Sequence, residues 1–195
     1  MQKLKGTKTE QNLLTAFGED PTREGLLETP ARVAKAWAHW TSGYRKNPKD
    51  VLKVFEDGAE GCGDEIVLVA NIPVYSTCEH HLAMIWGLAH IGYLPNKKIV
   101  GLSKFSRIVE VFARRLQVQE RLTNQIADAL DTILAPRGVG VVLECRHACM
   151  ESRGVQARGT ITTTSAMRGL MRQDSDLRSE FLQLVRNSST TKNGI

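Results

Sequence analysis

Two apolar periods alternate along this chain, and each change of period marks a predicted element. Through the first third the spacing is helical: Leu13, Leu14 and Phe17 share one face of a segment from Glu10 to Phe17, which "GEDPTREG" interrupts with Gly18 and Pro21. A second helix is predicted to begin near Thr22. Thr29 before Pro30 reads as an N-cap with proline at the first helical position, and Val33, Ala34, Trp37 and Trp40 form the stripe of a helix that Gly43 ends. From Tyr44 to Asp64, lysines, glycines and acids surround Val51, Leu52, Val54 and Phe55, the pattern of a loosely ordered connection.

From Glu65 the β-branched run "EIVLVANIPVYS" predicts a buried strand, and "HLAMIWGLAHIGYLP" predicts a second. The period then returns to 3.6. "GLSKFSRIVEVFARRL" places Phe105, Ile108, Val109, Phe112 and Leu116 on one face with Ser103 as N-cap. Another helix starts at about Gln119, carries Leu122, Ile126, Leu130, Ile133 and Leu134, and stops at Pro136 and Gly138. "GVGVVLECRHACM" is again a strand, whose alternation predicts Cys145, His147 and Cys149 on one face. A last strand, "VQARGTITTTSA", and an amphipathic helix around Leu177 to Val185 precede the polar tail "RNSSTTKNGI". The order defines an α+β chain: residues 1–64 as a helical arm and connection, 65–186 as the core domain, and 187–195 as a disordered tail.

Composition narrows the classes. The 195 residues, 42% hydrophobic, suffice for one main core. No apolar run approaches the roughly 20 residues of a membrane-spanning helix, and the N-terminus lacks a secretory pattern, so a cytoplasmic protein with no membrane partner is expected. The four cysteines, Cys62, Cys78, Cys145 and Cys149, are too few to staple a chain of this length. In a reducing compartment they are thiols, suited to metal binding or catalysis. A net charge of +5 suits an anionic partner, although it equally describes a solvated surface with a modest excess of lysine and arginine.

The chemistry concentrates in "STCEHHLAMIWG". Cys78 and His81 have the C-x-x-H spacing that lets a turn bring thiolate and imidazole to one metal ion, and Cys149 completes a Cys-His-Cys set from the later strand. Three protein ligands leave one position open, the mark of catalytic zinc, where bound water is acidified to a pKa of about 7. The competing reading is of buried thiols and ordinary polar histidines. His80 reads either as a fourth ligand or as a proton carrier; His147 reads either as a proton carrier or as a core histidine bonded to backbone. His90 and His39 are read as structural.

"GLSKFSR" places Ser103, Lys104 and Arg107 at or near a helix start, where free N–H groups suit phosphates. Glu120, beside Gln119 at the next helix start, can accept two N–H bonds from guanine or can merely serve the helix dipole. Arg153 is placed either on phosphate or on the open surface.

Together these residues make the chain resemble the GTP cyclohydrolase I family. The likeness runs in order through "GEDPTREGLLETPARVAKAW", "CEHHL", "HIGYLPN", "GLSKFSRIVE", "RRLQVQERLTNQIA", "GVGVVLE", "HACM", "RGV" and "FLQL". The resemblance implies a tunnelling fold, an antiparallel four-stranded sheet with two helices on one face, carrying an N-terminal helical extension. It also implies a homodecamer with active sites between subunits. Carried across by motif, Cys78, His81 and Cys149 become the ligands of one Zn2+, and His80 and His147 the proton carriers. Glu120, with Gln119, would anchor guanine; Lys104, Arg107 and Arg153 would hold the triphosphate, with Arg32 and Lys35 as additions; Ser103 would sit near the ribose.

The implied reaction is hydrolysis of GTP at purine C8, with a histidine, in this reading His80, protonating N7. Formate release and ring rearrangement follow, to 7,8-dihydroneopterin triphosphate, the first step of tetrahydrofolate and pterin synthesis. Three departures from the family pattern stand out: Ala83 to Trp86 replace a usual proline and phenylalanine, Cys145 replaces a small residue or threonine, and Ser152 replaces a methionine. Cys145 is expected beside Cys149, where it would bind metal or oxidise. The alternatives are an enzyme that stops at the formamide or feeds a deazapurine route, and, from another class, a non-catalytic zinc-containing nucleotide or nucleic-acid binding protein. The remote third cysteine and scattered basic residues disfavour nucleic acid as a partner.

Overall fold

The computed structural model describes residues 8–55 and 65–190. Cys62 and residues 191–195 of the expected tail lie outside them. The chain divides into two units, residues 1–42 and 43–195.

The first unit is helical. Lys8–Ala16 (α1) buries none of its side chains, so the predicted stripe of Leu13 and Phe17 stays exposed. No helix starts at Thr22. Its N–H and hydroxyl both donate to the Asp20 carboxylate at 2.8 and 2.6 Å, a local turn that competes with helix, and only a 3-10 turn forms at Glu24–Leu26. Thr29–Trp40 (α2) starts one residue before the predicted proline, with Glu28 rather than Thr29 at the cap position. Trp37 and Trp40 meet edge to face, 5.3 Å between ring centroids.

The second unit begins at Gly43, well before the boundary expected at residue 64, because residues 43–55 of the supposed connection take part in the core packing. Gly43 N–H donates to Arg114 O at 2.9 Å, and a Cβ there would lie 2.2 Å from Val111 O. Pro48–Val51 (α3) is capped by Asn47, and Val54–Phe55 (β1) pairs antiparallel with Ile99–Val100 (β4). The main sheet holds Val67–Cys78 (β2), Met84–Leu94 (β3), Gly138–His147 (β6) and Thr162–Gly169 (β7), antiparallel in that spatial order. Leu116–Gln117 (β5) adds a two-residue parallel edge beside Thr77 and Cys78.

Ser103–Ala113 (α4) and Gln119–Leu134 (α5) pack on one face of this sheet, as expected. Phe105, Ile108, Ile126 and Leu130 close over Val141, Leu143 and Ile91. The opposite face is not bare. Leu170–Gln173 (α7) and Ser175–Thr190 (α8) seat Met171, Phe181 and Val185 against Val142, which alternation turns away from Val141. The last helix therefore runs past Val185 into the predicted tail, and Ser188 O accepts from the Asn71 amide at 3.3 Å. On this same face His90 is fully buried with its Nε2 3.4 Å from the Glu144 carboxylate.

Two further boundaries moved. The strand expected over 155–166 begins only at Thr162, since Gly154, Gln156 and Gly159 all take positive φ and turn the chain instead. The strand expected to reach Cys149 stops at His147, and Ala148–Glu151 (α6) is a single helical turn. Cys145 and His147 keep the predicted common face; Cys149 reaches the site from the turn.

Gly92 and Gly140 lie directly opposite each other in the β3–β6 register, under the Phe181 ring. A Cβ at these positions would fall 2.6 and 2.7 Å from Phe181 carbons, so the two glycines make the recess that α8 fills. Gly140→Ala is accordingly expected to lower stability by about 1–3 kcal/mol through overpacking. Adding Phe181→Leu should recover part of that loss. Urea unfolding measures both, and a Gly140→Ala protein as stable as the parent would refute this account of how α8 docks.

Candidate metal centre and active site

The site forms where β2 ends, β3 begins and β6 ends. Cys78 N–H donates to Ala83 O at 2.8 Å and Leu82 N–H donates to Cys78 O at 2.9 Å, closing a tight corner around Glu79, His80 and His81. Leu82 takes φ 52° to complete it, a left-handed conformation unusual for a branched side chain. The corner carries His81 back over Cys78, with Nδ1 3.8 Å from Sγ. Glu79 N–H donates to Gln117 O at 3.1 Å, which ties the corner to β5.

Cys149 arrives from the other direction. At His147 the strand turns into α6, and Ser152 fastens that turn by donating both N–H and hydroxyl to Ala148 O, at 2.9 and 2.6 Å. The substituted Ser152 thus serves as a local clamp. Arg146 stacks over Trp86 at 5.3 Å and donates from Nε to the Glu151 carboxylate at 2.8 Å, which accounts for one of the altered residues in the Ala83 to Trp86 stretch. Donor atoms of Cys78, His81 and Cys149 all lie within 4.8 Å of one another. Among the described residues they are the one cluster of this kind.

Two sulfurs and one imidazole fit zinc, whose preferred donors they are, and a three-donor set leaves a coordination position for solvent. Burial, and then the neighbouring Cys78 sulfur, push the Cys149 thiol upward. A dication is the partner that reverses such a shift. His80 stands outside the cluster with a side chain 64% exposed, and its Nε2 is 3.8 Å from the Glu79 carboxylate. That carboxylate accepts from Arg121, whose hydrogen bond holds it below the usual carboxylate range.

Cys145 does not join the cluster. It is 1% exposed in the core under α4 and α5, and burial pushes its thiol up to about 12, far from a metal-binding or redox-active thiolate. The expectation of a chemically active Cys145 is therefore corrected: sharing a strand face with His147 placed it inward, while Cys149 left the strand.

His147 is half-buried. Desolvation lowers its pKa, partly offset by the charges of Glu120 and Glu151. Its Nε2 lies 2.8 Å from Gln119 Oε1. Gln119 is only 2% exposed and its amide is engaged inward, so the expected guanine contact of this side chain is not what the structure supports. Glu120, one residue on, is exposed at the start of α5.

Ser103, Lys104 and Arg107 occupy the first turns of α4, at its end remote from the metal cluster. Phe105 packs on Tyr93, 5.4 Å between rings, whereas Ile85 is the residue paired with His147. Tyr93 and Ile85 lie eight positions apart on β3, about 25 Å at the usual rise. The start of α4 and the metal cluster therefore lie toward opposite ends of β3. Arg153 is exposed just after α6. Arg32, paired with Glu28, and Lys35 belong to the separate N-terminal unit.

Sequence reasoning missed Glu79, Arg121 and Gln117. The i, i+4 spacing of Gln117 and Arg121 across the start of α5 was the available signal, and Arg121 Nε indeed donates to Gln117 Oε1 at 3.1 Å.

An α+β chain that gathers a Cys-His-Cys donor set beside two further histidines has the make-up of an enzyme with a metal site. Comparison with known proteins makes this specific. The family model for GTP cyclohydrolase I matches residues 7–186. The chain is 59% identical over 180 residues to a GTP cyclohydrolase 1 of Janthinobacterium sp. (strain Marseille), covering 92% of this chain and 90% of that one. It is 57% identical to that of Nitrosospira multiformis, covering 90% and 91%. A crystal structure of the archaeosine synthase QueF-Like in the apo form aligns over 53% of this chain and 93% of its own, at 15% identity and a TM-score of 0.45. The chain belongs to the GTP cyclohydrolase I family.

The burial of Cys145 has a direct consequence. Titration of native thiols with an aromatic disulfide reagent should count the same number in the parent and in Cys145→Ala, with the difference appearing only after unfolding. A native count lower by one in the variant would show that this thiol is accessible after all.

Proposed function

We infer that this chain converts GTP to 7,8-dihydroneopterin triphosphate with release of formate, using zinc held by Cys78, His81 and Cys149. The observation that carries this is the convergence of those three donors, within 4.8 Å, in a member of the GTP cyclohydrolase I family. Zinc bound there supplies acidification of a water at its open position. The remaining work falls to side chains. Glu120, exposed at the start of α5, accepts from N1–H and the 2-amino group of guanine and so orients the purine. His80, exposed at the corner and bordered by the Glu79 carboxylate, delivers a proton to N7 as water adds at C8. His147 serves the second hydrolysis, in which the formyl group leaves as formate; rearrangement of the ribose and ring closure follow.

Lys104, Arg107 and Arg153 hold the triphosphate, Ser103 lies near the ribose, and Arg32 and Lys35 are further phosphate contacts. The distance of the α4 start from its own metal cluster supports active sites between subunits, each taking Lys104 and Arg107 from a neighbouring copy in a closed ring, with a decamer as the expected assembly. No helix among the described residues is long and apolar enough to cross a membrane. Free Cys78, Cys145 and Cys149 support a reducing cytoplasm.

Purified, zinc-loaded protein incubated with GTP should release formate and yield a pterin that fluoresces after oxidation. Ring opening without formate would instead select the enzyme that stops at the formamide, and metal bound with no reaction would leave only a binding role. Cys149→Ser is expected to lose zinc and turnover together, while His80→Ala keeps zinc and loses turnover by about 100-fold or more; loss of metal from His80→Ala would reassign that histidine as a ligand. Co-expression of His147→Ala with Lys104→Ala, each inactive alone, should restore roughly a quarter of parent turnover if sites are shared between copies. No restoration would place every catalytic group within one chain.

A further inference from the structure

Gln119 sits at the start of α5 with its side chain in the core, and each of its polar atoms has a partner. Nε2 lies 2.8 Å from Thr162 O, 3.2 Å from Leu143 O and 3.1 Å from Thr164 Oγ1. Two of these are backbone carbonyls, which only accept. The atom facing them must therefore be the amide nitrogen, and the orientation of the amide follows without choice. Thr164 is itself 2.7 Å from Thr123 Oγ1, and Thr123 lies 2.7 Å from Gln119 O, so two hydroxyls brace the same residue from the side of α5.

The opposite end of the amide is then an oxygen, which has no hydrogen to give. It lies 2.8 Å from His147 Nε2. A ring nitrogen hydrogen-bonded to an obligate acceptor must carry the proton. In neutral His147 that leaves Nδ1 as the nitrogen with a free lone pair.

We infer that Gln119 is a positioning residue that sets the tautomer of His147: Nε2–H is fixed on Gln119 Oε1, and Nδ1 is the nitrogen whose lone pair is left to face a substrate. This rests on the reading of His147 as a proton carrier. Because Nε2–H stays on the amide oxygen, the Gln119 bond holds the ring in one orientation whatever group meets Nδ1. Buried carbonyls of β6 and β7 thereby set the chemistry of a half-buried histidine through one glutamine. The arrangement also explains why the residue next to an exposed Glu120 is turned into the core.

The test uses zinc-loaded protein labelled with 15N-histidine, examined by solid-state NMR, with the His147 signals identified by their disappearance in His147→Gln. The parent should show His147 protonated at Nε2 and unprotonated at Nδ1. Gln119→Met, of similar length but without the amide, should give a mixture of tautomers, a kcat lower by about 10- to 100-fold, and a KM for GTP within about twofold of the parent. A parent spectrum with the proton on Nδ1, or a Gln119→Met spectrum unchanged from the parent, would overturn the inference. So would a raised KM with kcat intact, the outcome expected of a guanine contact. Should Gln119→Met fail to fold, the parent tautomer decides alone. A parent that releases no formate defeats the functional reading and leaves the tautomer result standing, whereas formate release with an Nδ1–H tautomer defeats only this inference.

Discussion

The register between β3 and β6 is the constraint on which the site depends. Pairing Ile85 with His147 puts the end of β6 beside the β2–β3 corner, so that Cys149, two residues on, reaches Cys78 and His81. A slip of one residue would turn His147 away from α5 and Cys145 out of the core, because side chains alternate along a strand. Gly92 and Gly140 share that register and form the recess for Phe181. Packing on the α8 face therefore resists the same slip that would dismantle the metal centre on the other. Stability and chemistry are coupled through one set of backbone hydrogen bonds.

Around this frame, neighbouring groups receive different roles from their environment alone. Two cysteines four residues apart diverge: Cys145 on the strand is a neutral core thiol, and Cys149 on the turn faces Cys78 and His81. Two adjacent histidines diverge as well, since the corner directs His81 to the cluster and His80 outward to Glu79. Glu79 is in turn held by Arg121, and His147 by Gln119, so each proposed proton carrier has a polar neighbour anchored on α5. That helix links both histidines to the sheet.

Much of this was legible in the residues. The change of apolar period located β2, β3, α4, α5 and β6 to within a few positions, and the C-x-x-H spacing with Cys149 named the cluster. What escaped depended on contacts distant in sequence. Nothing local distinguishes Gln119 turned inward from Gln119 turned to a ligand; that is decided by Leu143, Thr162 and Thr164, which arrive with β6 and β7. The extent of the core below residue 65 was hidden because Gly43, Leu52 and Val54 sit among polar residues and are recruited only by α4 and β4. Extending the strand to Cys149 assumed regular pairing, whereas the β3–β6 ladder ends at Ile85 and His147 and the chain turns into α6.

X-ray absorption at the zinc edge of the metal-loaded protein measures the central claim most directly. The account predicts a first shell of two sulfurs, one imidazole nitrogen and one light atom that responds to added GTP. A third sulfur, a second imidazole closing the shell, or fewer than two sulfurs would contradict it.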